Sequence, residues 1–179
     1  MAQVIDLEEG RLLIAVKRGY RNWSTRFKKE FGINTTLSQI STTILAYLAQ
    51  GNDKENFYLY DLIMNLEGLG SGFDFNGLKP KQKMTVIDRH LFLLDQIRFE
   101  CMKRLGWLEL YPGEDFTLVK LITEFDKIGP LLQAKSPMLN RNHIAYDQYS
   151  RMHHLEKETY VRMLIPKALE EIKSYSTIL

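Results

Sequence analysis

One stretch, residues 84–121, constrains the fold more than any other part of the chain. It begins with an apolar-faced helix that runs into Gly106, a residue type that often ends a helix in the left-handed conformation. Two short runs of strand-favouring residues follow, Trp107 to Tyr111 and Phe116 to Leu121, on either side of the Pro112-Gly113 turn. We therefore expect a long helix, a glycine stop and a β-hairpin.

The second of these runs has two interpretations. Its apolar residues also recur with a helical period, which would make residues 116–128 a helix: Leu118, Leu121, Ile122, Phe125 and Ile128. We favour a strand as far as Ile122, because Trp107 to Tyr111 needs a partner and a lone strand is unstable.

Composition narrows the class of protein. A chain of 179 residues with 45% hydrophobic and 26% charged residues fits one globular domain, with or without a helical extension. No apolar run approaches the roughly 18 residues of a membrane span, and the first nine residues carry acids where a secretory signal would be basic and then apolar. We expect a cytoplasmic protein with no membrane partner and no cofactor. The single cysteine, Cys101, excludes an internal disulfide and is expected to pack in the core.

A long first helix is predicted from Ile5 to Phe31. Its apolar stripe recurs every three or four residues, at Leu12, Val16, Tyr20, Trp23, Phe27 and Phe31. Its outward positions are basic: Arg11, Lys17, Arg18, Arg21, Arg26, Lys28 and Lys29, against Glu30 alone. This leaves +6 on one element of a chain whose net charge is +2. Either the face is simply solvated, or it meets phosphates or an acidic partner.

Two further helices are predicted at Leu37 to Gln50 and at about Glu55 to Glu67, followed by a glycine-rich loop, Gly68 to Gly77. Such a loop can cradle a phosphate with its backbone N–H groups. This one lacks the Walker lysine pattern, follows a helix rather than a strand, and has Asp74 nearby to repel an anion. We interpret it as a connector.

The long helix that runs into Gly106, which we call the organising helix, carries a set of residues suited to DNA. Lysines near a helix start suit phosphates, whereas arginine and glutamine on an exposed face can read base edges. The candidate nucleic-acid-binding residues, which include one lysine of the predicted hairpin, are Lys79, Lys81, Lys83, Thr85, Arg89, Gln96, Lys103 and Lys120. The alternative is a solvated face. Phe92 and Phe99 widen the apolar side of this helix, and Arg98 falls within that side, where it needs a buried partner.

A last long helix is predicted from Ile144 to Tyr175, with Pro166 expected to kink or divide it. His143, Asp147, His154 and Glu158 share one side of it and form two metal-capable pairs. His143 and His154 would lie about 16 Å apart at ~1.5 Å per residue, so one ion cannot take all four residues. We favour a polar helix face over a metal site.

Nothing in the chain indicates catalysis. There is no Gly-x-Ser-x-Gly or His-Glu-x-x-His pattern, and the carboxylates are scattered. His90 lies at the flank of an apolar face, where a core histidine is expected. We predict that the protein is not an enzyme.

Residues 40–130 resemble winged-helix regulators of the PadR and MarR kind. The resemblance is carried by Thr42 to Leu48, Tyr58 to Leu62, Lys103 to Leu110, Leu118 to Thr123, and Gly129. It implies that the helix before the Leu-Gly step enters the major groove, with Thr85, Arg89 and Gln96 contacting bases or phosphates. It also implies a homodimer formed by the helices at Leu12 to Phe31 and Ile144 to Tyr175.

The sequence thus predicts a mainly α fold: a winged-helix core with one short β-hairpin over residues 35–130, an N-terminal helix within 1–34 and a helical extension at 131–179. The expected function is non-catalytic binding of duplex DNA as a transcriptional regulator. The alternatives are a protein-interaction module that binds through Tyr20, Trp23 and the C-terminal helix, and a metal-binding helical protein.

Overall fold

A computed structural model describes residues 6–176 and shows a mainly helical protein with one small antiparallel sheet. The helices are α1 Leu7–Gly19, α2 Arg21–Phe27, α3 Thr42–Ala49, α4 Asp53–Leu66, α5 Pro80–Arg104, α6 Leu118–Thr123, α7 Phe125–Gln133, α8 Tyr146–Ser150 and α9 His154–Ser176. The strands are β1 Leu108–Leu110 and β2 Met138–Leu139. No helix within the described range is long and apolar enough to cross a membrane.

The predicted first helix is two helices. The helix is interrupted at Tyr20, which ends α1 and precedes α2. Helix α2 then ends before Lys28, whose backbone has a left-handed φ of 54°. Phe31 therefore lies beyond α2, where the chain folds back and stacks its ring on Tyr20, with centroids 5.5 Å apart. The predicted start at Ile5 lies outside the described residues. The sequence periodicity predicted a helix as far as Phe31, but α2 ends at Phe27, and Phe31 packs on Tyr20 from outside the helix.

Tyr20 and Trp23 are core residues, not a binding surface. Tyr20 is 1% exposed and Trp23 is 0% exposed, and the Trp23 indole N–H donates to the Tyr58 carbonyl at 2.8 Å. The prediction that these two rings bind another protein is therefore wrong. Burial of these large aromatic rings stabilises the fold more than their exposure to water would. The one polar atom of Trp23, its indole nitrogen, has a hydrogen-bond partner inside the core.

The next two predicted helices are found with shifted boundaries. A 3₁₀ turn at Leu37–Gln39 precedes α3, and the extended backbone of Ile40 separates them, so the predicted helix is shorter. The Ser41 hydroxyl caps α3 by accepting from the Ile44 N–H at 3.4 Å. Helix α4 matches its prediction to within two residues. The glycine-rich segment after it is a connector that contains one 3₁₀ turn, Gly72–Gly77.

The prediction of a long organising helix is confirmed. Helix α5 has Pro80 in its first turn, where a missing N–H costs nothing. It ends just before Gly106, whose φ of +79° is a conformation that only glycine adopts without strain. Helices α3, α4, α6 and α9 all pack against α5. The organising helix is therefore the centre of the fold and is covered on several sides.

The predicted β-hairpin is wrong in its second strand. Strand β1 pairs antiparallel with β2, with Leu108 opposite Leu139 and Leu110 opposite Met138. The segment predicted as the partner forms helix α6 instead, capped by the Thr117 hydroxyl, which accepts from the Lys120 N–H at 3.1 Å. Leu118, Leu121 and Ile122 are buried in the core. The helical alternative for residues 116–128 was correct in type, but the segment forms two helices, α6 and the start of α7, which are separated at Glu124.

The predicted C-terminal helix is also divided. Helix α8 ends at Ser150 and α9 begins at His154, whereas Pro166 lies within the continuous α9 and does not divide it. Val161 and Ala168 of α9 pack with Phe99 and Met102 of α5 in one buried cluster. Ile172, near the end of α9, joins the larger cluster around α3 and α4. The C-terminal helix thus closes both parts of the core.

Candidate nucleic-acid interface

Arg89 of α5 does not lie on an accessible face. Its side chain is 10% exposed, and its Nε donates to Glu67 Oε1 at 2.8 Å. A second guanidinium nitrogen lies 3.5 Å from Asp126, and the group covers the Phe125 ring at 5.0 Å. These contacts tie α5 to α4 and α7 and leave Arg89 no freedom to reach a base edge.

Gln96 and Lys103, the two later candidates on α5, are also held by the fold: the first is buried and the second is ion-paired. Gln96 is 5% exposed, and Lys103 donates to Glu114 at 2.6 Å. The bond to Glu114 is the main cause that raises the pKa of Lys103. Glu100, between them, is 3% exposed and carries the opposite charge. The helix that the resemblance places in the major groove therefore presents no base-reading face in this structure.

The remaining candidates lie apart from these buried residues. Lys79, Lys81 and Lys120 are exposed, while Lys83 is half-buried with its ammonium 5.8 Å from the Phe75 ring centroid. The Thr85 hydroxyl donates to the Lys81 carbonyl at 3.1 Å. Three exposed lysines on two helices are a sparse positive surface.

A denser positive surface lies on α1 and α2. It consists of exposed cations that form no ion pair with any residue of the described range, and we call it the basic stripe: Arg11, Lys17, Arg18, Arg21, Lys28 and Lys29. The exposed Leu7 precedes these cations in α1, and the exposed Ile14 and Thr25 lie among them, one on each helix. Within α1, Arg11 and Arg18 lie about two turns apart, roughly 10 Å at ~1.5 Å per residue.

The buried side of the same helices explains why the cations face outward. Val16 and Phe27 lie in the core together with Tyr20 and Trp23. Asn22 donates to the Asp61 carboxylate at 2.8 Å, which fixes the rotation of α2 on α4. Because the apolar positions recur every three or four residues, the intervening positions must point to solvent.

The charge of the protein is strongly segregated. Residues 10–29 hold seven of the 24 Lys and Arg residues and none of the 22 Asp and Glu residues. The rest of the chain therefore has 17 Lys and Arg against 22 Asp and Glu, a net charge of −5. A dipolar distribution of this kind gives a local positive potential that the total charge of +2 conceals.

The glycine-rich segment borders this stripe but is not an anion cradle. The Gly72 N–H donates to Asp61 Oδ1 and the Ser71 N–H donates to Asp74 Oδ2, both at 2.8 Å. The carboxylates of the chain itself therefore occupy the backbone donors that a phosphate would use. Arg11 and Arg18 line a depression beside this segment.

The four metal candidates are not brought together. His143 Nδ1 accepts from the Ala145 N–H, whereas His154 Nδ1 lies 3.1 Å from the Ser136 hydroxyl. Glu158 is paired with Arg162 at 3.5 Å. Within residues 6–176 no three His, Cys, Asp or Glu side chains are placed to share a metal ion. The break between α8 and α9 separates the histidines that a single helix would have aligned.

Two polar side chains of α5, His90 and Arg98, have structural partners, and the thiol of Cys101 is buried. His90 stacks on Tyr60 and hydrogen-bonds to Asn56 Oδ1 at 3.0 Å, and burial lowers its pKa to about 4. Arg98 donates to the Ala49 carbonyl at 3.0 Å, which answers why an arginine lies in an apolar face. Cys101 is buried with its pKa raised to about 12 by desolvation, so it is a core thiol as predicted.

A comparison with known proteins finds no family model, no curated protein and no solved structure that matches the chain. The resemblance to winged-helix regulators therefore stays a prediction. Sequence reasoning noticed the charge of the first helix but placed the interface on α5. It missed the pairing of Asp95 with Arg162, which are 67 residues apart and give no local signal.

Proposed function

We propose that the protein binds duplex DNA without catalysis, contacting the phosphate backbone with the basic stripe of α1 and α2. One observation carries this proposal: six exposed cations, none of them ion-paired within residues 6–176, lie on and just after two neighbouring helices of a chain that is otherwise net acidic. Phosphate contacts of this kind supply most of the affinity of non-specific DNA binding and fix the protein on the duplex.

The burial of Arg89 and Gln96 changes the expected kind of binding. These were the residues suited to reading base edges, and both are more than nine-tenths buried in this fold. The stripe itself offers arginines and lysines, which suit phosphates along a groove edge. We therefore propose backbone binding with little dependence on sequence, in place of operator recognition by α5.

The winged-helix relationship of residues 40–130 is part of the proposal. The order of α3, α4 and α5, the stop at Gly106 and strand β1 after it all support this relationship. The sheet departs from the pattern, since its second strand, β2, follows two further helices. A wing formed in this way is joined to the C-terminal half of the chain.

The test is the salt dependence of binding to a fluorescently labelled duplex of about 20 base pairs, followed by anisotropy. We expect log K to fall linearly with log salt, with a slope of about −4 if four to five phosphates are neutralised. No binding at low ionic strength, or binding indifferent to salt, would contradict the proposal.

Matched charge variants place the interface. The double variant Arg18→Gln/Arg21→Gln removes two charges from the stripe, and Lys79→Gln/Lys81→Gln removes two exposed charges next to α5. We expect the first variant to make the slope about two units shallower and the second to leave it unchanged, because each lost phosphate contact reduces the slope by about 0.9. The reverse result would return the interface to α5.

Self-association through α9 is a second candidate function, and it is supported by two exposed apolar side chains of that helix. Leu155 is 74% exposed and Met163 is 68% exposed, and they lie four residues either side of the exposed Thr159. When two copies of α9 pack antiparallel around Thr159, Leu155 of each meets Met163 of the other, as a two-fold interface requires. Sedimentation analysis should show a dimer that Met163→Glu abolishes and Leu131→Glu, another exposed apolar position, retains.

A further inference from the structure

A cavity outside the basic stripe lies between α4 and the 3₁₀ turn Gly72–Gly77. Four aromatic side chains line it, and we call it the aromatic cavity: Phe57 and Tyr60 belong to α4, and Phe73 and Phe75 belong to the turn. Its volume of about 550 Å³ falls within the roughly 300–1,000 Å³ that is usual for small-molecule sites. The size and the aromatic walls of the cavity therefore suit a small organic ligand.

The four rings lie in two inclined pairs that join α4 to the turn. The Phe57 and Phe73 centroids are 4.8 Å apart with the ring planes at 47°, and the Tyr60 and Phe75 centroids are 5.0 Å apart at 50°. Phe73 is 80% exposed, so most of its ring meets water, and the other three rings are partly exposed. The cavity therefore presents accessible aromatic surface that packing within the fold does not use.

The backbone of the turn is held firmly against α4. The Gly72 N–H donates to Asp61 Oδ1 at 2.8 Å, and an added Cβ on Gly72 would come within 3.2 Å of the Asp61 Cα. At the start of the turn, the Ser71 N–H donates to Asp74 Oδ2 at 2.8 Å. These contacts fix the backbone that carries the two phenylalanines before any ligand arrives, so binding orders little of the chain.

The polar lining of the cavity has one charge, which is negative. Among the described residues that line it, only Asp53 is a carboxylate or a cation, and this exposed side chain forms no ion pair within residues 6–176. The Asn56 amide is already used by the fold, because its nitrogen donates to the Gly51 carbonyl at 2.9 Å and its oxygen lies 3.0 Å from His90 Nε2. The free polar group of known charge is therefore the Asp53 carboxylate.

The carboxylate and the most exposed ring pair lie together. Asp53 and Phe57 are four residues apart on α4, so their side chains are neighbours on one face, and Phe57 contacts Phe73. The Lys83 ammonium lies 5.8 Å from the Phe75 centroid and does not line the cavity. The position open to a ligand cation is therefore the one beside Asp53, Phe57 and Phe73. Aromatic faces attract cations, and quaternary ammonium groups are the ligands that aromatic walls typically recognise.

We propose that the aromatic cavity binds a small quaternary ammonium compound, whose charged group lies on Phe57 and Phe73 beside the Asp53 carboxylate. The methyl groups of such a cation bring apolar surface to the rings, and its charge is attracted both by the ring faces and by the carboxylate. It needs no hydrogen-bond acceptor, which suits a lining whose Asn56 amide is already bonded. The site does not depend on DNA binding, because none of the basic stripe residues lines it.

The test uses three probes of related shape, titrated into the ¹⁵N-labelled full chain and followed by NMR. Choline has the charge and the methyl groups, 3,3-dimethylbutan-1-ol has the same shape without the charge, and ethanolamine has the charge without the methyl groups. We expect choline to shift the Gly72 amide signal and to bind about five-fold more tightly than either of the others, because only choline gains from the rings and the charge together. Equal binding of choline and either other probe, weaker binding of choline, or no shift with choline would overturn the proposal.

Two variants check the ring and the carboxylate, both at exposed positions where folding is expected to be retained. Phe73→Leu keeps an apolar side chain but removes the aromatic face, so choline should bind about five-fold more weakly, against no change for Tyr175→Leu, an exposed aromatic position of α9. Asp53→Asn should weaken binding about three-fold, against no change for the exposed Asp147→Asn. Unchanged choline affinity in either cavity variant would overturn the proposal.

Discussion

Tyr111 donates its phenolic hydrogen to Glu100 Oε2 at 2.7 Å, which ties the segment after β1 to the C-terminal end of α5. The same carboxylate accepts from Arg104 at 3.0 Å, and Arg104 also donates to the Leu37 carbonyl at 3.0 Å. Glu100 is 3% exposed, and its carboxylate is paired with the Arg104 guanidinium while the Tyr111 hydroxyl supplies a further hydrogen bond. The network joins the sheet, α5 and the entry to α3.

Tyr111→Phe should destabilise the protein by about 2 kcal/mol, the usual range for a hydrogen bond to a buried charged group. The ring stays in place, so only the bond is lost. Urea denaturation at pH 7 measures the change. Tyr175→Phe, at an exposed position without a hydrogen bond among residues 6–176, is the matched control and should change stability by less than about 0.5 kcal/mol. Equal effects of the two variants would mean that the Tyr111 bond is not formed.

Arg89→Met should destabilise the fold by about 2–4 kcal/mol, because it leaves the half-buried Glu67 without its partner. The methionine retains the apolar stem of arginine, so packing is largely preserved. Burial already raises the pKa of Glu67 and Arg89 opposes that rise, so the pKa should climb further in the variant. The loss of stability should therefore be smaller at pH 5 than at pH 8, where Glu67 must stay charged.

The same variant distinguishes a structural Arg89 from one that reads DNA. If Arg89 acts only within the fold, DNA affinity measured at a temperature where the variant is fully folded should be unchanged. Lys79→Gln, an exposed charge near the start of the same helix, is the control for stability and should have almost no effect. A loss of DNA affinity in folded Arg89→Met would restore α5 as the interface.

Gly113→Ala should destabilise the protein by about 1–3 kcal/mol through overpacking. A Cβ at this position would overlap Gln96 Oε1, so the glutamine must move. Gln96→Ala removes the overlapping atoms, and the double variant should therefore lose less than the sum of the two single variants. Thermal denaturation of the three proteins gives the coupling. Strict additivity would mean that Gln96 does not lie against Gly113.

Acid should weaken the fold through His90. Its pKa is about 4 in the folded protein against 6.5 when unfolded, so between these values the unfolded chain binds the proton and the folded chain does not. The stability that His90 contributes is therefore complete above about pH 6.5 and is lost as the pH falls toward 4. His90→Gln, which retains a polar group toward Asn56, should flatten the dependence of unfolding free energy on pH in this window. The exposed His153→Gln should not.

The sequence determined the elements whose signal is local. Pro80 and Gly106 bracketed α5, because the cost of starting and ending a helix depends on a few neighbouring residues. Apolar spacing located α3 and α4, although α3 begins five residues later than predicted. The burial of Cys101 and the structural role of His90 followed in the same way from their positions on the apolar side of α5.

Tertiary structure decided what the sequence left open. Residues 118–123 had apolar spacing for either a strand or a helix, and burial of Leu118, Leu121 and Ile122 together selected the helix, so β1 found its partner 28 residues later in Met138–Leu139. Arg89 and Gln96 carry side chains typical of a surface, yet contacts from α4 and α7 bury the first and the segment at Gly113 covers the second. Charge composition is a property of the sequence, but which charges face solvent depends on partners distant in the chain. The basic side of α1 and α2 therefore became the candidate interface only because the fold buries Arg89 and Gln96, the residues of α5 that were predicted to face outward.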